Sequence, residues 1–260
     1  MVCGMLAISP RTLRKVPEVT AVFWVAKLLT TALGESVSDW LVNHINPFLA
    51  VGLGAIGLVI ALGLQFGVKK YIPAVYWLAA AMVAIFGTMA ADGIHVQLGV
   101  PYAVSSVAFA IALTTVFIAW HKNEGTLSIH TVTGRRREVF YWLTVMTTFA
   151  LGTATGDLTA NTLGLGYFAS GLLFTGVILV PALGYKYFKL GEVAAFWAAY
   201  IITRPLGASF ADWMGKPQGA TGLGWGDGAV SIGLFLLLVC TVSYMTFDRS
   251  ELSQETKTNP

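Results

Sequence analysis

Residues 23–39 read FWVAKLLTTALGESVSD, residues 76–92 YWLAAAMVAIFGTMAAD, residues 141–157 YWLTVMTTFALGTATGD and residues 196–212 FWAAYIITRPLGASFAD. Each stretch opens on an aromatic-Trp pair, places Gly ten residues after the Trp and places Asp fifteen after it, without a gap. In a chain with thirteen acidic residues and eight Trp, chance does not produce that register four times. The chain is therefore four tandem copies of one unit. The agreement continues into a second segment, where Gly52, Ser105 and Ser170 each follow their Asp by thirteen residues. Ser231 reaches a similar place only after about six extra residues between Lys216 and Asp227.

The medium in which these units fold follows from composition. Hydrophobic residues make up 56% and charged residues 11%, and the mean hydropathy is +0.71, values that belong to a chain solvated by lipid. Apolar runs long enough to cross about 30 Å of hydrocarbon recur along the whole length. They predict eight transmembrane helices, near 18–42, 47–67, 74–98, 102–120, 138–162, 166–187, 192–215 and 228–247. Thirteen of the sixteen Lys and Arg residues fall in the tails and in alternate connections on one side, while the opposite connections hold only Lys216. Lys27 and Arg204 lie inside spans. The positive-inside rule then puts both termini in the cytoplasm. The net charge of +3 reflects this topology and points to no nucleic acid, and the cluster Gly134–Glu138 (GRRRE) suits anionic lipid at the membrane surface. Met1 to Lys15 lacks the apolar core and cleavage site of a signal peptide, so the first span is expected to be retained. Cys3 and Cys240 form no CxxC and are read as inert.

Two spans per unit mean that every unit enters and leaves on the same side. The expected fold is all-α, with four parallel two-helix repeats about a pseudo-symmetry axis along the membrane normal. The whole of 1–260 forms one membrane domain, with repeats near 15–70, 71–122, 136–189 and 190–247 between tails 1–14 and 248–260. This organisation resembles a family of bacterial integral membrane proteins known as a repeat of unknown function. Lys15–Trp40, KVPEVTAVFWVAKLLTTALGESVSDW, is especially similar to its first repeat. The resemblance covers about 15–247 and implies the architecture and a place in the bacterial inner membrane, but no established activity.

Function has to come from ionisable groups inside the spans, which are costly in lipid and face protein or water. They are Lys27, Glu35, Asp39, Asp92, Asp157, Arg204 and Asp212. Each Asp lies about 22 Å beyond its Trp, at the helix C-terminal end where the macrodipole disfavours a carboxylate, so the four need partners. Two roles are open: tying helices together by hydrogen bonds, or binding an ion, a proton or a substrate. One turn before the Asp stand Glu35, Thr88, Thr153 and Ala208, so only the first unit offers a second carboxylate. Glu35 and Asp39 are the first candidates for a metal or other cation, with threonine oxygens as helpers. Lys27 is expected to snorkel to the interface or to pair, and Arg204 to meet a carboxylate of another unit, beside a possible kink at Pro205. Trp24, Trp77, Trp142 and Trp197 suit an interfacial aromatic belt or, alternatively, a cation–π lining of a pathway. The repeat Gly residues, with Gly52, Gly54 and Gly57, suit close helix contact. His44 and His95 suit the interface or proton transfer beside Asp39 and Asp92.

Five acids against two bases favour a cationic ligand or proton. The expected function is a small secondary transporter or exporter of a cation, proton-coupled through the outer carboxylates. A hard divalent ion or an organic cation would serve, because the ligands are oxygens without a Cys/His cluster. No nucleotide-binding loop is present. A membrane-embedded enzyme or redox partner is an alternative, though HExxH, a nucleophile elbow and a haem-type His pair are all missing. A non-transporting scaffold or sensor is another. Cofactors and oligomeric state, including a homo-oligomer, stay open.

Overall fold

The computed structural model describes residues 14–258, without the side chains of Val96, Gln97 and 249–258. Cys3 and Arg11 lie outside the described residues. Among those described, the regular structure is helical throughout. Unit one comprises α1 (Ala21–His44) and α2 (Pro47–Gly67), and unit two α3 (Pro73–Leu98) and α4 (Tyr102–Glu124). Unit three comprises α5 (Arg135–Asp157), α6 (Gly166–Val177) and α7 (Leu179–Tyr187), and unit four α8 (Glu192–Gly215) and α9 (Asp227–Thr258).

The helix boundaries have local causes. Thr20 caps α1 by accepting from the Phe23 N–H (3.2 Å), and Asn46 caps α2 by accepting from Phe48 (3.0 Å). Pro47 and Pro73 stand in the first turn, where an N–H has no intrahelical use. Gly99 and Gly125 end α3 and α4 with φ of 63° and 70°, a left-handed turn that favours glycine. The sixth expected span is broken into α6 and α7 near Ile178. Pro181 lies just beyond, and its ring conflicts with the carbonyl four residues back, at Val177. Pro205, by contrast, sits within an unbroken α8.

Among the described residues, five segments are long and apolar enough to cross a membrane: α2, α3, α4, the pair α6 and α7, and α9. The remaining first helices, α1, α5 and α8, carry the ionisable residues that lower their hydropathy. Packing explains the division. The four first helices touch in a closed circle, α1 to α3 to α5 to α8 and back to α1. Each second helix lies outside and packs chiefly on the first helix of the next unit: α2 on α3, α4 on α5, α6 and α7 on α8, α9 on α1. The outer helices expose large apolar side chains such as Phe48, Leu49, Val59, Ile111, Val180 and Leu236, which suits a lipid surround.

The repeat Gly residues make the circle. A Cβ at Gly34 would collide with Ala84, at Gly87 with Phe149, at Gly152 with Arg204 and at Gly207 with Thr31. Ala84, Phe149, Arg204 and Thr31 each lie seven residues after the Trp of their own unit. One contact is thus used four times, always from one unit to the next, and the last closes on the first. Gly54 and Gly57 face Met89 and Met82 of α3 in the same spirit, whereas nothing opposes Gly52.

Candidate functional site

A step of four residues keeps the same face of a helix. On α1 the inward face therefore carries Phe23, Lys27, Thr31, Glu35 and Asp39, and the equivalent positions of α3, α5 and α8 share its layers. The axis can be followed from the tryptophan end to the aspartate end.

At the tryptophan end, each repeat Trp packs on the aromatic residue that opens the preceding unit. Ring centroids are 5.7 Å apart for Trp77 and Phe23, 5.4 Å for Trp142 and Tyr76, 6.1 Å for Trp197 and Tyr141, and 5.7 Å for Trp24 and Phe196. The hydroxyls of Tyr76 and Tyr141 are hydrogen-bonded to each other. Trp77, Trp142 and Trp197 are buried and Trp24 is half-buried. The belt expected for these four gives way to an internal aromatic plug, because each neighbouring helix offers an aromatic partner.

Lys27 occupies the next layer. Its side chain is 1% exposed, so it does not snorkel to an interface. The reason is position: the residue faces the axis, between Phe149 of α5 and Tyr200 of α8. Its Nζ lies 4.1 Å from the Phe149 ring centre and 4.2 Å from that of Tyr200, and makes no hydrogen bond. Arg204, wholly buried, enters one layer higher, with its guanidinium carbon 5.4 Å from the Phe149 ring centre. Its Nη2 donates to Glu35 Oε2 (2.5 Å), to the Thr88 hydroxyl and to the Thr153 hydroxyl (2.7 Å). Arg204 thereby joins four units, and its counter-ion is the Glu35 of unit one. Ala208, the fourth residue of that layer, is small. The Nε and Nη1 of Arg204 have no partner.

At the aspartate end the carboxylates come together. Oxygens of Glu35, Asp39 and Asp92 lie within 4.8 Å of one another, close enough for one ion to touch all three. Asp157 accepts from the Asn161 side chain at 3.3 Å and interacts electrostatically with Glu35 and Asp39, and Asp212 does so with Glu35, Asp39 and Asp157. Lys216, just past α8, reaches in. Its Nζ is 2.5 Å from Asp39 Oδ2, 3.7 Å from Asp227 Oδ2 and 3.9 Å from Asp212 Oδ1. Burial pulls the Lys216 ammonium down, but Asp39 and Asp212 outweigh it and hold it above the usual lysine value. The arrangement can hold a cation or exchange protons, and Lys216 already supplies one cationic group.

Several participants escaped the sequence. Lys216 and Asp227 belong to the connection between spans that carries about six extra residues. That connection folds back on α8, where the Trp213, Met214, Gly215 and Lys216 carbonyls accept from Leu223, Trp225, Gly226 and Gly224. Toward the tryptophan end, Lys15 donates to Glu138 Oε2 (2.5 Å) and Gln65 to Glu138 Oε1 (2.9 Å), all three buried. Both charges read as tail and surface residues; a Glu ending a triple-Arg run gave no signal of burial. The histidines have other partners: His44 bonds the Trp40 carbonyl and stacks on its ring, and His95 contacts Ser105, Tyr102 and the Val100 carbonyl.

Fold and site together define a helical, multi-pass membrane protein made of four repeated units. Four tandem matches, at residues 22–71, 75–126, 140–189 and 195–250, place the chain in the family described as Repeat of Unknown Function (DUF347), and it belongs to that family. No curated protein and no solved structure matches it.

Proposed function

We propose that all eight helical segments, counting α6 and α7 as one, cross the bacterial inner membrane about a pseudo-fourfold axis, with both termini cytoplasmic. The protein acts as a small secondary transporter or exporter of a cation through the carboxylates Glu35, Asp39, Asp92, Asp157 and Asp212. The observation that carries this reading is the convergence of Glu35, Asp39 and Asp92 at one end of the axis, with Asp39 and Asp212 also reaching one ammonium contributed by the chain itself. A hard divalent ion would take Glu35, Asp39 and Asp92, and an organic cation would take the place of Lys216 Nζ. Proton exchange at the same carboxylates supplies the coupling, and Arg204 with Lys27 forms a positive barrier between this site and the aromatic plug.

The test is flux in proteoliposomes under an imposed pH gradient, with Mn²⁺ and a primary alkylammonium as probes. Wild type should move one of them, and Asp39→Asn should lower the rate at least tenfold. Unchanged flux in both Asp39→Asn and Glu35→Gln removes the site. A scaffold is the second reading, favoured by the densely packed axis in which Arg204 ties four units together. On that reading neither probe moves, and the same variants lower only the melting temperature.

A further inference from the structure

Among the described residues, one apolar slot on the outside of the closed helix circle has a volume of about 470 Å³. It lies over α8, between α1 and α7, and opens sideways where Leu179 and Tyr185 are half exposed. Its walls are almost wholly apolar: Trp24, Leu28, Ile178, Pro181, Phe196 and Ala199 among them. The one polar group at its deep end, the Thr203 hydroxyl, is spent on the Tyr200 carbonyl (2.6 Å). From Glu192 to Thr203 the slot runs about 16 Å along α8, close to half the ~30 Å of a bilayer core, and so one leaflet deep.

Equivalent positions of the repeat differ in how they fill such junctions. Trp120 of α4 lies fifteen residues after Ser105; it is fully buried and packs edge-on to Trp197 at 5.8 Å. Tyr185 lies fifteen residues after Ser170 but is 57% exposed. Trp120 thus fills its place between the helices and Tyr185 does not; the matching place under α9, at Thr246, lines a second apolar slot of about 400 Å³.

The mouth of the first slot is charged, and with both signs. Arg14 Nη1 is 3.2 Å from His130 Nδ1, and His130 Nε2 is 3.3 Å from Glu192 Oε1. His130 and Glu192 line the slot itself. We infer that this slot is a binding site for one phospholipid with a zwitterionic amine headgroup. One acyl chain fills the groove, the phosphate meets Arg14 and His130, and the ammonium meets Glu192. The charge pattern argues for this occupant: a zwitterionic headgroup offers an ammonium to Glu192 as well as a phosphate to Arg14 and His130, whereas a fatty acid or an anionic phospholipid brings only negative charge to a mouth that already holds Glu192 and Glu18. The inference rests on the membrane reading but not on transport.

The test is native mass spectrometry of the purified full chain, titrated with phosphatidylethanolamine or phosphatidylglycerol of matched acyl chains. Wild type should retain one phosphatidylethanolamine through delipidation and prefer it at least fivefold. Ala199→Trp should lose the retained lipid, and Ala182→Trp fills the slot from the α7 side if the first variant does not fold. Glu192→Gln should keep a lipid but lose the preference. Parity of the two lipids in wild type, no retained phospholipid, or retention in the filled variant at the wild-type level overturns the assignment. None of these variants touches the carboxylate cluster, so failure here and failure of the flux assay are separate results.

Discussion

Replacing Gly34 by Ala tests the architecture most directly. The added methyl would collide with the Ala84 methyl and stand 2.9 Å and 3.1 Å from the Ala84 carbonyl carbon and Cα, so the obstacle is the backbone of α3 and not a flexible side chain. Relief requires α1 and α3 to separate by roughly 1 Å, an overpacking that costs about 1–3 kcal/mol. Gly63, on the lipid-facing α2, meets nothing within 4 Å, and Gly63→Ala should gain about 0.5–1 kcal/mol from helix propensity alone. At roughly 2–4 °C per kcal/mol, the two variants should differ in melting temperature in detergent by about 3–16 °C. Ala84→Gly in the Gly34→Ala background removes the colliding methyl and should recover more than half of the loss, a coupling that distant sites do not show. Equal melting temperatures for the two single variants, or no rescue by Ala84→Gly, would refute the close packing of the helix circle.

Arg204→Met leaves Glu35 buried without its counter-ion and should cost about 3–5 kcal/mol in thermal unfolding; adding Glu35→Gln should restore part of it, and a double variant worse than the single would contradict the pairing. Lys27→Met exchanges a buried amine without a hydrogen bond for an apolar chain of similar length and should raise the melting temperature, whereas a fall would show that its contacts with the Phe149 and Tyr200 rings outweigh its desolvation. Lys216→Met should lower the melting temperature by a nearly constant amount between pH 7.5 and 9.5. The folded value is raised above the unfolded value of about 10.4, so the contribution is complete below that and fades only above it. A deficit that disappears by pH 9 would count against the Lys216–Asp39 pair.

What the sequence determined was the repeat, the lipid environment and the inward charges, because these rest on spacing and hydropathy along one helix. The step from Trp to Gly to Asp puts the three on fixed turns whatever surrounds them. Which helices form the circle, and what each meets there, was not legible. That Gly34 meets Ala84, that each second helix serves the next unit, and that Trp77 leans on Phe23 are relations between helices, to which periodicity within one helix is blind. For the same reason the tryptophans read as a belt and Lys27 as a snorkelling side chain, since residues near the end of an isolated helix do go to the interface. Glu35 and Arg204 were visible as departures from the repeat, but only tertiary structure joined them, 169 residues apart, and only the folded loop brought Lys216 to Asp39. One helix fixes which face a residue takes; closing four of them around an axis decides what that face meets.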